Sequence, residues 1–69
     1  MIAILESLEK FLVYHRTRIE YLNGSIARLP DDMQASKDVL VSAKIAHEII
    51  VCNIENSIAQ LCEGIDNDN

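Results

Sequence analysis

An apolar stripe in helical phase runs through two long segments of this chain and is interrupted once, at Leu29-Pro30-Asp31. Before the proline, Ile4, Leu5, Leu8, Leu12, Ile19, Leu22, Ile26 and Leu29 fall on one side of a helical wheel. After it, Leu40, Ala43, Ile50, Ile54, Ser57 and Leu61 do the same. Apolar residues at this period define an amphipathic helix, and a proline between two such runs defines a helical hairpin. The constraint is severe, because two helices alone cannot enclose a core. The expected fold is all-α: a two-helix antiparallel hairpin that homodimerises into a four-helix bundle.

The spacing predicts helix 1 over about 2–29 and helix 2 over about 32–63, with an acidic frayed tail over 66–69. Asn23-Gly24-Ser25 is a combination that often closes a helix, but Ile26 and Leu29 stay in phase with Ile19 and Leu22. A continuous helix is favoured; the alternative is a stop at Asn23 and a short turn before Pro30. Asp31 is the expected N-cap of helix 2, with Gln34 completing a capping box, and Gly64 is the expected stop.

A chain of 69 residues forms one small domain. At this size a single core supplies only about 3–5 kcal/mol without help from disulfides, metal or a second subunit. Cys52 and Cys62 would lie about 15 Å apart on one helix, beyond disulfide reach, and are expected to be small buried side chains in a reduced, cytoplasmic setting. No signal peptide is expected, since Met1-Ile2-Ala3-Ile4-Leu5 lacks a charged lead and Glu6 ends the apolar run. No segment has the length of uncharged apolar sequence that a membrane span requires.

The formal net charge is −5. Residues 1–29 sum to +1 and residues 30–69 to −6. This balance weighs against nucleic acid as partner, because phosphate contact needs clustered cations. No serine or cysteine nucleophile has a histidine and an acid placed to activate it, and there is no glycine-rich phosphate loop. A non-enzymatic protein without cofactor is expected.

A tight hairpin pairs residues whose numbers sum to about 60–62, so His15 and His47 fall opposite one another on the apolar arcs. They read as a buried polar layer that fixes register. A metal site is not expected, because no third ligand lies at suitable spacing. Helix 2 has a second apolar face of Val41, Ile45, Ile49 and Cys52, expected to be the dimer interface. On helix 1, Tyr14, Arg18, Tyr21 and Arg28 form the expected partner-binding face, since tyrosine and arginine dominate interface energies. The rival readings of that face are an ordinary solvated flank and contact with single-stranded nucleic acid.

In length and hairpin character the chain resembles the small host-takeover proteins of phages, most of all the quorum-sensing anti-activators of Pseudomonas phages. The resemblance implies a small dimer that binds a host transcriptional regulator, and a second host protein such as a pilus-assembly ATPase. It carries no motif and assigns no residue. The chain also resembles the plasmid copy-number regulators of the Rop type, acidic hairpins that dimerise and bind RNA loops. The expected activity is inhibition of a host regulatory protein by covering its functional surface; the alternatives are an RNA-binding regulator and a purely structural dimerisation module.

Overall fold

A computed structural model describes residues 2–67 as two antiparallel helices, α1 (Ile2–Arg28) and α2 (Gln34–Asn67). The hairpin is a rod of 57 × 14 × 12 Å with a radius of gyration of 16.2 Å. A compact chain of this length would have a radius near 11 Å. No described helix is long and apolar enough to cross a membrane.

Helix α1 continues through Asn23-Gly24 without interruption. Gly24 has no positive φ, so it does not adopt the left-handed conformation that closes helices. A Cβ built at Gly24 meets only the flexible end of Arg28, with Nη1 at 3.2 Å. Gly24→Ala is therefore expected to stabilise the hairpin by about 0.5–1 kcal/mol, read as a rise in thermal midpoint by circular dichroism. A lower midpoint would mean that the Arg28 side chain cannot move aside.

The connection departs from the expected capping box. Leu29 N–H bonds to the Ile26 carbonyl at 3.3 Å, tightening the last turn of α1. Met33 N–H bonds to the Pro30 carbonyl at 3.0 Å, closing a turn around Asp31 and Asp32. Helix α2 then starts at Gln34, two residues later than expected. Asp31 accepts from Lys37 Nζ at 3.2 Å instead of capping, and Gln34 Nε2 donates to Asp38 Oδ1 at 2.8 Å. At the other end α2 runs through Gly64, which again has no positive φ, to Asn67. Asp66 and Asn67 of the expected tail are thus helical, and Asp68 and Asn69 lie outside the described residues.

The helices meet along a seam with spacing alternating between three and four residues. From α1 come Leu5, Leu8, Leu12, His15, Ile19, Leu22, Ile26 and, just beyond its end, Leu29; all are buried or half-buried. From α2 come Lys37, Leu40, Lys44, His47, Val51, Ile54, Ile58 and Leu61, all half-buried. This is a repeat of 3.5, the geometry of antiparallel coiled-coil packing. The sequence stripe on α2 meets this line at Leu40, Ile54 and Leu61 and falls one residue short of it at Ala43, Ile50 and Ser57. Ile50 and Ser57 consequently stand exposed, and Val51 and Ile58 take the seam. On α1, Ile4 also lies outside the seam and is exposed.

The rod encloses very little. Among the described residues only Leu22 is buried, at 4% exposure. The accessible surface is 5127 Å², against roughly 4,400 Å² for a compact monomer of this mass. Lys37 and Lys44 occupy the α2 seam near the turn, where their aliphatic stems cover apolar surface and their ammonium groups reach water.

Candidate interaction faces

The seam divides the rod into two flanks. Arg16 Nη2 and Glu55 Oε2 form an ion pair at 3.0 Å across one of them. Each follows a seam residue, His15 or Ile54, so in this antiparallel pair the residues that follow seam positions share one flank. The residues that precede seam positions share the other. Both partners of the ion pair are about half exposed, which limits its contribution to under about 1 kcal/mol.

The two flanks differ in charge. The Arg16 flank carries Glu6, Glu9, Glu20, Asp38, Glu48 and Glu55, with Arg16 as its one cation. On the opposite flank α1 contributes Ile4, Ser7, Phe11, Tyr14, Arg18, Tyr21, Ser25 and Arg28. Helix α2 contributes Ser36, Val39, Ala43, Ala46, Ile50, Asn53, Ser57 and Gln60 to it. None of the eleven acidic residues of the chain falls among these sixteen positions. The exposure there is high: Ile4 53%, Phe11 58%, Tyr14 58%, Tyr21 58% and Val39 68%.

All four residues of the expected partner-binding face, Tyr14, Arg18, Tyr21 and Arg28, lie on this acid-free flank. The Arg18 guanidinium sits 5.0 Å from the centre of the Tyr21 ring, a cation–π arrangement. Tyr14 packs edge-on against His15, with ring centres 5.1 Å apart. Phe11, Ile4, Val39, Ala46 and Ile50 extend the face and were missed as a group. The signal was present: their positions repeat the seam spacing one residue earlier.

Of the expected dimer strip, Val41, Ile45 and Cys52 lie on the Arg16 flank and Ile49 on the back of α2. Ile45 and Ile49 are 48% and 57% exposed, and Val41 is half-buried. The strip is a real apolar surface, but Glu48 interrupts it and Glu55 continues it. Both thiols, Cys52 and Cys62, are exposed rather than buried as expected. The seam takes every second-half position at Val51, Ile54, Ile58 and Leu61, and neither cysteine falls on it.

The histidine register is observed. His15 Nδ1 and His47 Nδ1 are 2.8 Å apart, and the rings are 5.0 Å between centres. One ring must donate an Nδ1 proton and the other must accept through an unprotonated Nδ1. The pair is part-buried rather than sealed. Among the described residues no three histidine, cysteine or carboxylate side chains converge as a metal site would require. An open depression lined by Glu6, Glu9, Lys10 and Val13 lies along α1 alone.

The arrangement offers long apolar faces and exposed tyrosine and arginine groups, a chemistry suited to contact with another surface. No protein-family model matches the chain, and comparison with curated proteins and with solved structures returns no match either.

Proposed function

We propose that this hairpin is a non-enzymatic binding protein that works as a pair of copies and inhibits a regulatory protein of its host by covering a surface the regulator needs. A transcriptional activator is the fitting class of target, as for the phage anti-activators that the chain resembles. The observation that carries the reading is the exposed row of Tyr14, Arg18, Tyr21 and Arg28 on the acid-free flank, beside a long apolar surface. Exposed apolar patches of this extent mark interaction sites, and tyrosine and arginine are the side chains most often found at their energetic centres.

The test is a pull-down from host lysate with mass-spectrometric identification, comparing the natural chain with Tyr14→Ala/Arg18→Ala/Tyr21→Ala. All three side chains are exposed, so helix content should be unchanged while the regulator is lost from the triple variant. Recovery of the same proteins by both would place the target elsewhere on the surface. Binding of RNA that weakens steeply with added salt, with no protein retained, would replace this reading by a nucleic-acid one.

A further inference from the structure

We infer that the second copy of the chain seats on the acid-free flank, around Phe11, Ala43, Ala46 and Ile50, and not on the Val41–Cys52 strip. This deepens the pairing of copies proposed above and rests on it.

Three observations carry the assignment. The first is need. With Leu22 alone buried among the described residues, the hairpin has almost no core of its own. Its permanent cover must be present whenever the chain folds, and a second copy always is. The second is area. A face 57 Å long and 14 Å wide presents roughly 800 Å², the share that each partner contributes to a standard stable interface. The surplus of accessible surface over a compact monomer is of similar size, roughly 700 Å².

The third observation is charge. In a two-fold pair each face meets itself. The Arg16 flank would set six carboxylates against six, with one arginine on each side to offset them. Burying such a surface leaves charges unpaired, which is costly. The acid-free flank meets itself with apolar and small side chains along the middle, where Ala43 and Ala46 permit close approach. Its cations are Arg18, whose guanidinium lies against the Tyr21 ring, and Arg28 near the turn. Of the residues next to the seam, Phe11, Ala43 and Ile50 then enter a four-helix core, while Arg18, in the same row, keeps its guanidinium against the Tyr21 ring. Those one step further out (Tyr14, Tyr21, Arg28) form its rim, where they stay available to the target.

The experiment is sedimentation of the full chain over a range of concentrations, with two paired variants. Phe11→Glu/Ile50→Glu places carboxylates in the proposed core; Ile45→Glu/Ile49→Glu places them on the opposite side. The first pair should weaken the dimer by about 100-fold or more, because unpaired carboxylates would be desolvated; the second should leave it within a few-fold. Cys52 supplies a readout that needs no variant and does not depend on variant folding. Its alkylation, followed by peptide mass, should be as fast in the dimer as in dilute monomer.

A dimer broken by Ile45→Glu/Ile49→Glu alone, with Cys52 protected, overturns the face assignment and leaves the paired binding protein standing. A chain that remains a folded monomer at every concentration overturns both.

Discussion

Replacing Leu22 with alanine is expected to cost the hairpin about 2–4 kcal/mol, most or all of the stability available to a chain this small. Leu22 is the one buried side chain among the described residues, at 4% exposure. It lies seven residues after His15 and therefore at the level of Leu40, seven before His47. Truncation removes its transfer free energy and leaves a gap that neighbouring leucine and isoleucine side chains fill only in part. Urea unfolding followed by far-ultraviolet circular dichroism, at one fixed protein concentration, measures the effect. Ile2→Ala is the control: Ile2 is 73% exposed, and its loss should move stability by no more than about 0.5 kcal/mol. Similar losses at the two positions would show that the seam does not carry the fold.

The sequence reading reached the topology, the break at Pro30, the continuity of α1 and the pairing of the histidines. These follow from long-range pattern, where many residues vote for one phase. It misjudged features that depend on one residue of phase or one local bond. On α2 the stripe fell one residue short at Ala43, Ile50 and Ser57, because one seam position there is a lysine (Lys44) and at the others an apolar or small residue directly precedes the seam residue (Ile50 before Val51, Ser57 before Ile58). Asp31 did not cap because Lys37, one turn into α2, offers it a charged partner while the Pro30 turn holds it outside the helix. The cysteines were expected inside on composition alone, yet the seam left them no position. The acid-free flank was legible in principle. It emerges once the seam is known, because only then do the residues preceding each seam position line up as one surface.

The His15–His47 pair yields a prediction with opposite signs for single and double substitution. The Nδ1···Nδ1 bond at 2.8 Å occupies one seam position on each helix. His15→Leu alone leaves His47 with a half-buried nitrogen that lacks its partner, offsetting what the leucine gains by burial. The single variant should be no more stable than the natural chain, and less stable by up to about 1–2 kcal/mol. In His15→Leu/His47→Leu no polar group is orphaned, and two apolar side chains continue the seam from Leu12 to Ile19. That chain should be more stable than the natural one by about 1–2 kcal/mol on the area made apolar. Denaturant unfolding of all four members of the double-mutant cycle measures this, with a coupling energy of opposite sign to the single-variant loss. The gain should come with weaker definition of alignment: a leucine pair accepts a slip of one turn, whereas a hydrogen bond between two rings has one register. Amide hydrogen exchange at the two ends of the rod reads that loss as faster exchange despite the higher stability. If both single variants were as stable as the double, the histidines would be solvated passengers, and register would be set by the Pro30 turn alone.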